Sequence, residues 1–173
     1  MTMIHNPSHL ESQNAISMGK SRAKIDDFST NDNKTVLNIQ AHGDSAFPGQ
    51  GASYESLGLS KLPNFSCGGT VHIITNNQVG FTTEPGNYCS FTHPSDLVKS
   101  FEVPVLRVNS SDIEAVIRAC RFAVEYWNKY KKDVMIDMIG YRYYGHNEVD
   151  EPSFTQPIMY QKIRSMPTPP QSY

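Results

Sequence analysis

Charge of one sign, long apolar runs and paired cysteines are all scarce in this 173-residue sequence, and each scarcity removes a class of function. Lys and Arg number 15 against 17 Asp and Glu, a net charge of −2, which gives no electrostatic case for nucleic acid or an anionic membrane surface as partner. No window approaches the roughly 18 apolar residues of a membrane-spanning helix. The cysteines Cys67, Cys89 and Cys120 are odd in number and lack close metal spacing, which points to reduced thiols and an intracellular setting. The opening MTMIHNPSHLES is neither a secretory signal nor an arginine-rich transit peptide. What remains, 38% apolar and 18% charged residues over the length of one domain, suits a globular fold with a real core.

The hydrophobic pattern alternates strands with helices. Thr35 to Ala41 reads as a strand, and so do the β-branched Thr70 to Thr75, Val103 to Val108 and the stretch Val134 to Ile139, apolar except for Asp137. Between the last two, Ser111-Asp112-Ile113-Glu114 has the form of a capping box. Beyond it Ile113, Val116, Ile117, Cys120, Ala123, Val124 and Trp127 recur at helical spacing, as a core-facing helix would require. Strand, helix, strand predicts an α/β fold, a parallel β-sheet with crossover helices on both faces. Gly19 to Lys34 shows no periodicity and reads as an exposed loop, Gln156 to Arg164 as a short helix. The domain plan is a leading motif and polar loop over 1–34, an α/β domain over 35–165, and a proline-rich linker over 166–173.

Chemistry concentrates between His42 and Phe81. The first strand delivers Gly43-Asp44 at its carboxyl end, and the second delivers Asn76-Asn77. In an open parallel sheet those ends share the edge where ligands bind. An aspartate and an asparagine there offer hard oxygens that suit Mg²⁺. Gly43, Gly49 and Gly51 allow backbone to approach a phosphate closely, with Pro48 stiffening the loop. A helix from Ala52 to Leu59 would aim its N-terminus at the anion. A diphosphate held through magnesium is the ligand implied; for Asp44 the plain alternative is an Asx turn closing a strand. Upstream, His5 and His9 have the spacing of a helical metal pair, but Pro7 between them breaks such a helix, and Asn6 or Ser8 would equally cap a helix start.

Gly-Asp-Ser-Ala followed by Asn-Asn about thirty residues later resembles the thiamine-diphosphate motif. The words HNPSHLE, HGDSAFPGQG, NNQVGFTT, YRYYGHNEVDEP and FTQPIMY narrow the resemblance. They are similar to the first, decarboxylating component of the 2-oxoglutarate dehydrogenase complex and to its relative acting on 2-oxoadipate. The similarity runs from about His5 to the end. Such proteins are several times longer, so the sequence reads as an internal piece.

The resemblance implies a diphosphate-type thiamine-diphosphate-binding domain. Its Mg²⁺ would be held by Asp44, Asn77 and the backbone carbonyl of Val79. Thiamine diphosphate would lie against Ser8, Leu10, Asp44, Ser45, Ala46 and Asn77, with Ser8 also meeting the 2-oxo acid and His9 a weaker neighbour. His146, in a Tyr-Arg-x-x-Gly-His loop bordering the cofactor channel, would be the catalytic histidine. The implied reaction is oxidative decarboxylation of 2-oxoglutarate or 2-oxoadipate, with the acyl unit passed to a lipoyl group on the transferase component of the complex. That places it in the tricarboxylic acid cycle or lysine degradation, as a homodimer, in the mitochondrial matrix of a eukaryote or the cytoplasm of a bacterium. The glutamate that activates the aminopyrimidine lies on a second domain in the family, and nothing here resembles that domain. The isolated chain is therefore expected to supply the diphosphate and magnesium half-site and to be inactive alone. Two departures stand out. Ser45 replaces the usual alanine or glycine, and YCSFTHPSD replaces a segment with Arg-Ser-Ser before Thr-Asp, so that arginine is absent and Ser95 stands for the threonine. Another thiamine-diphosphate enzyme, or a non-catalytic binding or assembly module with the same fold, are the competing readings.

Overall fold

The computed structural model describes residues 1–5, 9–27 and 36–173. Its centre is a four-stranded, all-parallel sheet in the order β1-β2-β4-β3. The strands are β1 (Asn38–Gly43), β2 (Thr70–Asn76), β3 (Val105–Asn109) and β4 (Val134–Ile139). The predicted parallel α/β sheet is therefore present. Each expected strand forms, with β1 starting and ending later than the sequence pattern indicated.

The strand order explains where the helices go. The chain steps from β1 to β2 in one direction across the sheet and from β3 to β4 in the other. Crossovers of one hand then place the intervening helices on opposite faces. Side-chain alternation along the strands shows both faces filled. Ile74 and Met135 pack with Phe47, Leu57, Leu97, Val98 and Val103 on one side. Val71, Val134 and Ile136 pack with Val108, Ala123 and Trp127 on the other. The first side is covered by α2 (Ala46–Gly49), α3 (Gly51–Leu59) and a 3-10 helix, Pro94–Phe101. The second is covered by the long helix α5 (Ile113–Tyr130), and α4 is the single turn Pro85–Tyr88. A further helix, α1 (Gln13–Asp27), packs on α3 and β1. The chain ends in α6 (Pro157–Ser165) and the one-turn α7 (Pro169–Ser172) inside the proline-rich tail.

Several sequence expectations are corrected. Gly19 to Asp27 is not a loop but the second half of α1; the remainder of the predicted loop, 28–34, lies outside the described residues. Two of the four residues α1 buries, Asn14 and Ser21, are polar, so its inward stripe with Met18 and Ile25 left no apolar period. Ala46–Gly49 is a helical turn rather than loop. At α5 the N-cap is Asp112, whose carboxylate accepts the Ala115 N–H at 2.8 Å, and no Ser111 capping box forms.

The face of α5 is corrected too. Ala123 and Trp127 are buried, with Val116 and Ala119 packed beside them, whereas Ile117, Cys120 and Val124 are exposed. Trp127 sets this rotation: its indole N–H donates to the Gly68 carbonyl at 2.9 Å, pinning the helix to the start of β2. No helix among the described residues is long and apolar enough to cross a membrane.

Candidate functional site

The carboxyl edge of a parallel α/β sheet is where ligands bind. Asp44 follows β1 there and Asn77 follows β2, and the register pairs Gly43 with Thr75, so the two segments leave the sheet side by side. The loops then touch. A Cβ on Gly80 would lie 2.8 Å from Ser45 Cβ and 3.0 Å from the Tyr88 ring, so only glycine permits this approach. Gln78 sits at φ +61, a left-handed conformation costly for a side-chain-bearing residue, of the kind that collects at functional sites.

Asp44 is 2% exposed. Burial raises its carboxyl above the ordinary range, against the opposing pull of the Tyr88 hydroxyl and of the Asp44, Gln78 and Ser45 backbone N–H groups. Tyr88 O–H donates to its Oδ2 at 2.5 Å. Asn77 Oδ1 accepts the Val79 N–H at 3.1 Å, and Val79 is buried. Asp44, Asn77 and Val79 thus lie in neighbouring loops at one carboxyl edge of the sheet. Ser45 stands against Gly80, and Ala46 is buried at the start of α2. The fold itself imposes no glycine at positions 49 or 51, where an added Cβ meets no atom within 4 Å.

The donor set fits the magnesium and diphosphate that the sequence suggests. It is all oxygen and carries one formal charge. Among the described residues no three His, Cys, Asp or Glu side chains gather as an all-protein metal cage.

The leading motif is tied to this edge by a residue the sequence reading passed over. Glu11 is 6% exposed, and its Oε2 accepts from His42 Nδ1 at 2.8 Å, Asn14 Nδ2 at 2.9 Å and Ser53 Oγ at 3.2 Å. His42 lies two positions before Asp44, so the His-Leu-Glu segment is fastened directly beneath the site. Leu10 itself is exposed, and Ser8 lies outside the described residues. Only an acidic residue in the quoted NPSHLE word hinted at Glu11, since nothing local in sequence announces that a glutamate will be buried.

His146 reaches the same edge from β4. Gly140 N–H donates to the Asn76 carbonyl at 2.8 Å, and the Gln78 amide donates to the Gly140 carbonyl at 2.7 Å. The ring of Phe81 meets that of His146 edge-on at 5.0 Å, and Gln156 Nε2 donates to the Thr82 carbonyl at 3.1 Å. The loop after β4 therefore lies across the loop after β2. His146 is exposed and lines a cleft of about 670 Å³ with Tyr143, Asp150, Glu151 and Arg164, and neither Asp44 nor Asn77 lines that cleft.

The altered segment Thr82–Asp96 is anchored at its far end. Ser95 is fully buried and its hydroxyl donates to Asp137 Oδ2 at 2.6 Å. Arg107 reaches Asp96 at 2.5 Å, and Asp137 also accepts from Asn76 Nδ2 at 3.0 Å. Serine thus keeps a hydroxyl for Asp137, and an arginine on β3 holds the segment.

The sequence profile of the dehydrogenase E1 component family matches residues 1–173. Among curated proteins, the chain is 48% identical over 164 residues to "2-oxoglutarate dehydrogenase, mitochondrial" of Saccharomyces cerevisiae, covering 94% of this chain and 16% of that protein. It is 50% identical over 173 residues to the "probable 2-oxoadipate dehydrogenase complex component E1 homolog" of Dictyostelium discoideum, covering 100% and 19%. It is 47% identical over 169 residues to the "2-oxoglutarate dehydrogenase E1 component" of Staphylococcus epidermidis, covering 95% and 18%. The chain spans less than a fifth of the length of these three relatives.

Proposed function

Because the chain belongs to the dehydrogenase E1 component family, we propose that it is the diphosphate- and Mg²⁺-holding part of a thiamine-diphosphate-dependent decarboxylase acting on 2-oxo acids that carry a second carboxylate, 2-oxoglutarate or 2-oxoadipate. The observation that carries this reading is the buried Asp44 carboxylate, delivered by β1 into the Asn77–Gly80 loop after β2. Names of relatives on both sides of that substrate pair, at 48% and 50% identity, agree with the substrate class.

In this role Asp44, the Asn77 amide oxygen and the Val79 carbonyl supply the protein's oxygens to the cation. Ser45 and the backbone N–H groups of the following turn would face the diphosphate, with Ala46 closing the turn and Leu10 bordering the same edge; a contact from Ser8, which lies outside the described residues, belongs to the same reading. When bound, thiamine diphosphate supplies the electron sink that decarboxylation of a 2-oxo acid requires.

His146 presents a fixed donor. Arginine only donates hydrogen bonds, so Arg142, 3.0 Å from His146 Nδ1, takes that nitrogen as acceptor and leaves the neutral ring's proton on Nε2. A diphosphate oxygen or a reacting group on the cleft side would meet that N–H. The lipoyl-bearing transferase of the complex, a homodimeric assembly, and a mitochondrial or bacterial cytoplasmic location belong to the same reading.

Calorimetric titration of thiamine diphosphate with Mg²⁺ into this chain and into Asp44→Ala tests it. Magnesium-dependent binding that disappears in Asp44→Ala is the expected result. Binding that survives in Asp44→Ala would place the ligand elsewhere and sink the assignment.

A further inference from the structure

We propose that Tyr88 is a latch on Asp44: its hydroxyl occupies the carboxylate oxygen that an incoming cation must take, so that cation entry and withdrawal of Tyr88 are one event. This rests on Asp44 being the metal ligand, as proposed above.

Three features support it. Asp44 is 2% exposed, and a carboxylate so far removed from water requires donors or a cation to offset the loss of hydration. The Tyr88 hydroxyl, 2.5 Å from Oδ2, is a strong side-chain donor to it. Finally, Tyr88 sits on a segment that can give way. The one-turn helix α4 buries no residue, and a Cβ on Gly86 meets no atom within 4 Å. An element with so little packed surface belongs to the low-stability end of a fold. The anchors at Ser95 and Arg107 lie beyond it, so α4 moves without releasing the 3-10 helix at Pro94–Phe101.

A merely structural tyrosine and a latch predict opposite signs. Tyr88→Phe removes the hydroxyl and keeps the ring against Gly80. If Tyr88 is a latch, apo Asp44 loses its one side-chain donor among the described residues, and Mg²⁺, titrated at saturating thiamine diphosphate, binds about tenfold or more tightly, the factor equivalent to one hydrogen bond to a charged group. If the hydroxyl instead orients Asp44 for the metal, Tyr88→Phe binds more weakly. Equal or weaker Mg²⁺ binding by Tyr88→Phe, with wild-type binding still lost in Asp44→Ala, overturns the latch and leaves the metal site standing. Binding indifferent to Asp44→Ala overturns both. A second readout needs no variant to fold differently: in wild-type chain labelled with 3-fluorotyrosine, one fluorine resonance is expected to shift on saturation with Mg²⁺ and thiamine diphosphate, and that resonance is the one missing from Tyr88→Phe. Its failure to move overturns the latch.

Discussion

His42 Nε2 and His72 Nδ1 face each other at 3.0 Å across the first two strands, with both rings almost wholly buried. Glu11 can only accept, so His42 Nδ1 carries a proton toward it. Which ring donates in the His42–His72 contact depends on the tautomers. A carboxylate and two imidazoles thus form one buried chain linking the leading motif, β1 and β2. Its middle member stands two positions from Asp44. Chains of this kind are costly when any one member is left without its partner.

The chain makes stability depend on pH well above the carboxylate range. Burial, aided by the neighbouring His42, holds His72 well below 6.5. The unfolded chain takes up a proton near 6.5 that the folded chain refuses, so stability is lost as pH falls through that value. The slope approaches about 1.4 kcal/mol per pH unit for one such group. Urea unfolding between pH 7 and pH 5 checks this. His72→Gln is expected to flatten the curve over that interval, and an unchanged slope in that variant would sink the assignment.

Glu11 acts in a lower window. Burial alone would raise its carboxyl, but hydrogen bonds from His42, Asn14 and Ser53, together with the attraction of His42, leave it lowered from 4.5. Its contribution is therefore present above 4.5 and lost as pH falls through the lower folded value. Glu11→Ala at pH 7 strands three buried donors and is expected to cost about 3 kcal/mol in unfolding free energy. A loss under about 0.5 kcal/mol would mean that the network is not closed in solution.

What was legible in the sequence follows from this physics. Val134–Ile139 announced itself because a strand buried on both faces is a nearly continuous apolar run, broken here only by Asp137. The places of Asp44 and Asn77 were legible because each sits in a short local word at a strand end. Glu11, Tyr88 and the α1 helix were not, because their roles come from partners far away in the chain. Glu11 meets His42 and Ser53, Tyr88 meets Asp44, and α1 turns Asn14 and Ser21 inward toward a polar interior. No window of sequence contains both halves of such a pair. In α5 the pattern was read correctly as a helix and wrongly as to face, since two adjacent apolar stripes exist and only tertiary contact chooses between them.

Arg142 fixes the tautomer of His146, and that is measurable without turnover. Long-range ¹H–¹⁵N correlation of the imidazole at pH 8 should show the neutral ring with its proton on Nε2. Arg142→Met should return a mixture of tautomers. If the two spectra agree, the 3.0 Å contact does not set the proton's position.

The two stripes of α5 give opposite responses to truncation. Ile117 and Val124 are 45% exposed each, so replacing either by serine removes little surface from the core and should change unfolding free energy by about 0.5 kcal/mol or less. Trp127 lies one helical step away, 6% exposed, with its indole N–H on Gly68 and its ring packed among Val71, Val134 and Ile136. Trp127→Ala leaves a large cavity and an unpaired carbonyl, and about 3–5 kcal/mol should be lost. Urea midpoints of the three variants decide the matter. A heavy loss from Ile117→Ser or Val124→Ser would mean that this stripe is covered in solution, since the described fold leaves it open to water. The helix would then be held from two sides, and the rotation set by Trp127 would be only one of its constraints.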